Sequence, residues 1–88
     1  MLTKMKKALR ITHDVLDDEI QDLIDAAKMD LQISGVKKID ETDPLIIRAI
    51  TIYCKSHIGL DNPDSTKYDA SFELLKIHLA LSSDYNNV

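Results

Sequence analysis

Cys54 and His57 are the pair of residues most capable of acting together in catalysis or metal binding. They lie three positions apart in one predicted helix. A thiol beside an imidazole can act as a nucleophile with its base, but that chemistry also needs an orienting group and oxyanion donors. A Cys/His metal site needs more ligands than these two. Neither His13 nor His78 belongs to a recognisable set of metal ligands in the sequence. We therefore expect Cys54 to be a small core residue and His57 to interact with the last carbonyl groups of its helix.

Acidic residues form the other group with chemical potential, and no basic residue interrupts them: Asp14, Asp17, Asp18, Glu19, Asp22 and Asp25. An EF-hand loop needs alternating oxygen ligands and a central glycine, whereas this stretch has helical spacing and no glycine. The sequence also lacks a glycine-rich phosphate loop and a nucleophile elbow. We predict no enzymatic activity, no catalytic residue, no metal site and no cofactor.

Length and charge limit the remaining classes of protein. The chain has 88 residues, which makes a single domain over 1–88, and a formal net charge of -4. A domain of this size buries only roughly 60–65% of its unfolded surface, so assembly would supplement a small core. A net acidic chain is a poor candidate for a dedicated DNA-binding protein. With one cysteine, no signal-peptide pattern and no long apolar run, we expect a soluble intracellular protein without a membrane segment.

Hydrophobic periodicity predicts an all-α fold, a small bundle of about four helices in which a short basic helix precedes three longer ones. The predicted helices cover about 2–9, 15–33, 44–58 and 65–82, and a flexible tail follows over 83–88. In the last helix the stripe that we expect to face the core consists of Tyr68, Phe72, Leu75 and Leu79. Three further apolar residues are expected to widen it: Leu74, Ile77 and Leu81.

The third helix has the clearest start signal, because Asp43 is a good N-cap and Pro44 fits the first helical position. Gly35 marks the end of the preceding helix, since glycine readily adopts positive φ. From 45 to 58 the apolar residues point in nearly every direction, which is typical of a buried helix. We expect so small a domain to leave part of this helix uncovered, and that part to meet another subunit.

Taken together, these segments resemble the small head–tail connector proteins of tailed phages and prophages, also called adaptor or head-completion proteins. The resemblance covers nearly the whole chain and rests on a combination of segments, each of which alone is weak. The segments are Lys6-Lys7-Ala8-Leu9-Arg10-Ile11, Asp17-Asp18-Glu19-Ile20, Leu23-Ile24-Asp25-Ala26-Ala27-Lys28, Asp43-Pro44-Leu45-Ile46, Ala49-Ile50, Tyr53, and Phe72 with Leu75.

The resemblance implies a structural role in virion assembly at the head–tail junction, after synthesis in the bacterial host cytoplasm. Members of the family form a homo-oligomeric ring, dodecameric on the virion, that docks on the portal protein of the DNA-filled head. The ring extends the DNA channel and gives the next head-completion or tail protein a platform. DNA passes through it without sequence-specific binding, and the ring has no catalytic residues.

Two sets of site residues follow as hypotheses. The chain departs from many relatives in stopping soon after Tyr85. The hypothesis for portal or tail docking names Ser83, Asp84 and Tyr85. An acidic wall would let DNA slide through the channel without sticking. The candidates for lumen-facing residues are Asp17, Asp18, Asp22 and Asp25.

The separation of basic and acidic blocks suggests a contact between subunits. The first ten positions contain basic residues and no acidic ones, and the next fifteen contain acidic residues and no lysine or arginine. A head-to-tail interface requires separated surfaces of opposite charge of this kind. A head-to-tail contact closes into a ring when its rotation permits. We expect Lys4, Lys7 and Arg10 of one subunit to face Asp18, Asp22 or Asp25 of the next. A solvated acidic helix favoured by its own dipole is the simpler interpretation.

Two other classes of protein remain open from the sequence. A small helical regulatory or antitoxin-like module would form a discrete dimer and bind one partner. A DNA-packaging subunit of a phage or prophage would retard DNA at low salt. The basic residues of the last two helices are few (Arg48, Lys55, Lys67 and Lys76), which makes a recognition helix a distant option.

Overall fold

The computed structural model describes residues 1–58 and 63–86, and all regular structure within them is helical. The order of elements is α1 (Leu2–Ala8), α2 (Asp17–Ile33), α3 (Pro44–His57), α4 (Ser65–Leu81) and α5 (Ser83–Asn86). The predicted all-α class is confirmed, and the first four helices begin and end within two residues of the predicted positions.

The start of α3 follows from two adjacent residues. The Asp43 carboxylate accepts a hydrogen bond from the backbone N–H of Leu45 at 2.8 Å, and Pro44 occupies the first helical position. Both features satisfy or remove N–H groups that have no partner within the helix. The cap predicted from the sequence is confirmed.

The end of α2 depends on glycine. Gly35 has a φ of 107°, a conformation that L-residues rarely adopt, and it redirects the chain into the connection to α3. Val36 then turns inward and is fully buried, while Ile39 packs against the edge of the core. This connection is tied to the bundle by Lys28 of α2, which pairs with Glu41.

The core lies around α3, which packs between α2 and α4. Buried residues occupy more than half of the circumference of α3, whereas Arg48, Thr51 and Lys55 line a groove on its remaining side. The rings of Tyr53 and Phe72 meet edge-on with centroids 5.1 Å apart. The fully or almost fully buried apolar residues are Met5, Ile20, Ile24, Ala27, Leu31, Val36, Ile46, Ala49, Ile50, Ile52, Cys54, Phe72 and Leu79. Part of α3 is uncovered, as expected: Leu45 is exposed and Ile47 is only partly buried. The contact of this part with another subunit stays a prediction.

Two contacts fix the relative direction and height of α2 and α4. Lys76 of α4 pairs with Asp30 of α2 at 3.2 Å, and Ala80 lies 3.8 Å from where a Cβ on Gly35 would stand. Because the contacts follow in the same order along both helices, α2 and α4 run parallel. α3 runs the opposite way, so its first residues lie beside the last residues of α4.

The C-terminal segment is held against this end of the bundle. The sequence predicts a flexible tail over 83–88, whereas the structure has a short helix, α5, over its first four residues. The Tyr85 hydroxyl donates to the Asp43 carboxylate at 2.9 Å, and the Tyr85 carbonyl accepts from the backbone N–H groups of Lys37 and Lys38. Burial and the neighbouring Asp43 charge raise the pKa of Tyr85. The last two tail residues lie outside the described residues.

Replacing Tyr85 with phenylalanine removes the hydroxyl but keeps the ring and the backbone contacts. We expect Tyr85→Phe to lower the free energy of unfolding by about 1 kcal/mol, the typical net value of one hydrogen bond. Urea denaturation followed by circular dichroism measures the loss. Asp84→Asn is the control, since that exposed neighbour should be neutral, and equal stability of Tyr85→Phe and the unchanged chain would contradict the role of this contact.

Cys54 should behave as a core residue in thiol chemistry. Its side chain is fully buried, and burial raises the pKa of the thiol to about 11. At pH 8 such a thiol is about a hundredfold less ionised than one with the ordinary pKa of 9.0, and only the thiolate reacts readily. We expect slow alkylation by iodoacetamide in buffer and fast alkylation in urea. Equal rates under both conditions would show that Cys54 is accessible in the native protein.

Candidate assembly surfaces

The arrangement of Cys54 and His57 offers no support for nucleophilic chemistry. The thiol is buried and protonated, and the imidazole is engaged elsewhere: its Nδ1 lies 2.9 Å from the carbonyl oxygen of Tyr53 and 2.6 Å from the Ser56 hydroxyl. The ring also stacks on Tyr53 at 4.2 Å. His57 thus contacts a carbonyl near the end of α3, one turn before the last carbonyl groups that the sequence predicts. Within the described ranges, no group of three or more His, Cys, Asp or Glu residues could hold a metal ion.

The basic residues near the N-terminus divide into two sets. Lys4, Lys7 and Arg10 are exposed, and none of the three forms an ion pair within residues 1–58 and 63–86. Lys6 turns inward instead and pairs with Asp14 at 2.6 Å and Asp17 at 2.8 Å. These carboxylates raise the pKa of Lys6, and Lys6 lowers the pKa of Asp14. The pairs attach α1 to the start of α2.

The acidic residues of α2 divide in the same way. Asp18, Asp22 and Asp25 are exposed on the side of α2 that points away from α3, and Asp25 accepts a hydrogen bond from Gln21 at 3.1 Å. Asp17 is half-buried and paired with Lys6. The structure therefore brings together three of the four aspartates of the lumen hypothesis on one surface and separates the fourth.

The three residues of the docking hypothesis also differ in their surroundings. Ser83 and Asp84 are exposed, whereas Tyr85 is partly buried and holds the C-terminal segment to Asp43 and the α2–α3 connection. Tyr85 thus positions the segment, and Ser83 and Asp84 lie at its surface. No pattern in the sequence could reveal the Tyr85–Asp43 contact, because the two residues are far apart along the chain.

An exposed apolar stripe runs along α4, and the prediction that its residues face the core is wrong. Leu74, Ile77 and Leu81 do not widen the core-facing stripe: they lie on the opposite side of the helix and are 71%, 53% and 79% exposed. At about 100° per residue, Leu81 lies about 180° around the helix from Phe72. Helical spacing was the signal that separates the two stripes.

The outward side of α2 has apolar residues as well. Met29 is 56% exposed and Ile33 is 78% exposed, and both follow the three outward aspartates along the helix. This side of α2 therefore changes from acidic in its first half to apolar in its last turns. Scattered exposed apolar residues are normal on protein surfaces, whereas several on one helix face point to an interaction.

A shallow open groove connects the end of α1 with the start of α4. Arg10, directly after α1, lines this groove together with Lys55, Asp64 and Tyr68. Lys55 lies over the Tyr68 ring, 5.9 Å from its centroid. The groove therefore places the last exposed basic residue of the N-terminal segment beside the first turn of α4.

Comparisons with known proteins bear on what these surfaces are for. No helix among the described residues is long and apolar enough to cross a membrane. A search of curated proteins found no match, and a search of solved structures found none either. The sequence matches the family described as "Phage connector protein" over residues 1–86, nearly its whole length. The chain therefore belongs to the phage connector protein family.

Proposed function

We propose that this protein is a non-enzymatic head–tail connector that assembles as a ring on the portal vertex of a phage head. The ring extends the DNA channel and presents a platform to the next head-completion or tail protein. The observation that carries this proposal is the family match, which spans residues 1–86 and leaves no room for a second domain within that range. The protein is made in the host cytoplasm and ends in the virion.

The surface of the domain supports a role in assembly. Enclosure of α3 uses the inward faces of α2 and α4, so the exposed apolar residues of these two helices contribute nothing to the core. Exposed charges are also segregated by sign, with basic residues on α1 and just after it, and acidic residues on α2. Such segregation favours contact between unlike surfaces of identical copies.

At the contact between subunits, Lys4, Lys7 and Arg10 face Asp18, Asp22 and Asp25 of the next copy. All six side chains are exposed and none forms an ion pair within the described part of the chain, so each remains available to a partner. Exposed ion pairs contribute only ~0.2–1 kcal/mol each, so they set the register while apolar contacts supply affinity. Lys6 and Asp17 have no part in it, because they pair with each other.

The same three aspartates are candidates for the wall of the DNA channel. Carboxylates repel phosphates, and a wall lined with them would let DNA pass without counterion-release binding. An aspartate that pairs with a neighbouring subunit is neutralised and does little for the channel. The two roles therefore lead to different results when the charge is reversed.

The first test of the function is the molar mass of the purified protein, measured by light scattering after gel filtration, with and without purified portal protein. We expect a ring, either free at high protein concentration or formed on the portal. Portal binding should involve many copies of the chain per portal assembly, because each portal subunit offers an equivalent site.

A different outcome would point to another class of protein. A tight dimer that ignores portal protein would contradict the connector role and favour a regulatory module. Retardation of DNA at low salt, lost at high salt, would favour a packaging subunit.

Charge exchange tests the contact between subunits. Lys7→Glu and Asp22→Lys should each weaken ring formation, since each places like charges opposite one another. The double variant should recover much of the loss because it restores an opposite pair. The concentration at half-assembly, measured by light scattering at low and high salt, is the readout. Lys38→Glu, at an exposed position after α2, provides the matched charge-reversal control.

Two results would overturn the pairing. One is assembly that is indifferent to salt and to both reversals. The other is an Asp22→Lys variant that assembles normally and holds DNA more tightly, which would assign the aspartates to the channel wall. Unchanged DNA retention in rings with Asp18, Asp22 and Asp25 all changed to lysine would overturn the channel role in turn.

A further inference from the structure

The outward faces of α2 and α4 are complementary in charge. The outward face of α2 carries Asp18, Glu19, Asp22 and Asp25 and no basic residue. The outward face of α4 carries Lys67 and His78, and the one acidic residue at its edge, Glu73, is paired with Lys76 of the same helix. Lys67 is 85% exposed and its Nζ is 4.0 Å from Asp64, a distance typical of a weak pair within one turn of helix.

The two faces are also ordered alike along their helices. On α2 the aspartates come first, and the apolar residues Met29 and Ile33 follow toward the C-terminal end. On α4 Lys67 comes first, and Leu74, Ile77 and Leu81 follow toward the C-terminal end. Each face thus has a charged half and an apolar half, and the charges of the two faces have opposite sign.

The contact between Asp30 and Lys76 sets these faces at matching heights in the bundle. The two residues are 46 positions apart in the sequence and level with one another, and the helices run parallel. The same offset puts Lys67 level with position 21, Leu74 with position 28, Ile77 with position 31 and Leu81 with position 35. Asp22, Met29 and Ile33 are each within two residues of these levels, about 3 Å along the axis.

Rotation about an axis parallel to the helices keeps every copy of the chain at the same height. Such a rotation brings α4 of one copy beside α2 of the next in parallel orientation. Lys67 then meets the outward aspartates of α2 near Asp22. The apolar residues of α4 meet those of α2: Leu74, Ile77 and Leu81 lie against Met29 and Ile33. Arg10 lines the groove at the start of α4, so this basic residue lies near the charged half of this contact.

We propose that the outward face of α4 binds the outward face of α2 of a second copy of this chain, side by side and parallel. This inference rests on the proposed ring and names the apolar half of its subunit contact. A second copy is the occupant that the surfaces favour, because one chain carries both complementary faces at the same height. Matched faces on one chain are what a head-to-tail ring needs.

Cysteine cross-linking between differently tagged chains tests the contact and its direction. Chains with Ile33→Cys are mixed with chains with Leu81→Cys, with and without purified portal protein, and treated with a short bismaleimide. Parallel packing places these two positions together in neighbouring copies, so we expect strong cross-linking between the two tagged chains. The native Cys54 is buried, and each variant alone gives its background.

The matched control tests for packing in the opposite direction. Asp18 is on the same outward face as Ile33 but at the other end of α2, so Asp18→Cys mixed with Leu81→Cys should stay at background. Cross-linking of this pair instead would indicate antiparallel packing and overturn the proposal. Rings that form on portal protein without cross-linking in either mixture would overturn it too, while leaving the connector function intact. Absence of both portal binding and cross-links would overturn the two together.

Removal of the apolar side chains provides an independent measurement. Leu74→Ser, Ile77→Ser and Leu81→Ser combined should leave the monomer folded, because all three side chains are exposed. The concentration at half-assembly should rise by more than about tenfold, since the contact loses most of its apolar area. Val15→Ser removes an equally exposed apolar residue outside both faces and should change nothing. An unchanged half-assembly concentration for the triple variant would contradict the proposal.

Discussion

Enclosure of α3 determines where the other helices lie. Burying the apolar sides of this helix requires a long helix on each of two flanks, α1 against part of its remaining side, and the α2–α3 connection. The domain achieves this with two parallel helices of 17 residues each. Each long helix packs only one of its sides against α3. The residues on its other side are not needed for the core and are available for contacts with other molecules.

Local signals in the sequence were sufficient for the positions and types of the helices. Asp43 and Pro44 define the start of α3 through backbone hydrogen bonding within two residues, and Gly35 ends α2 through its own φ. These effects depend on near neighbours alone, so they can be recognised without a structure. The fold class follows from the same signals together with helical periodicity.

Contacts between distant residues could not be predicted in the same way. The sequence identifies the stripe of α4 that faces the core, but it does not identify Tyr53 of α3 as the residue against which Phe72 packs. The Tyr85–Asp43 contact and the pairing of Lys6 with Asp17 likewise depend on how the helices meet. Of the candidate site residues, Asp17 and Tyr85 are engaged within the fold, and the roles of the exposed ones stay predictions.

The antiparallel placement of α3 has a consequence for any ring built with its axis along the helices. One rim would carry the amino ends of α2 and α4 together with Arg10, and the other would carry the amino end of α3, Lys37, Lys38, Ser83 and Asp84. The rims are therefore chemically unlike, and a ring inserted upside down would present the wrong one to each neighbour. A single small chain would in this way impose an order on the stack of proteins above and below it.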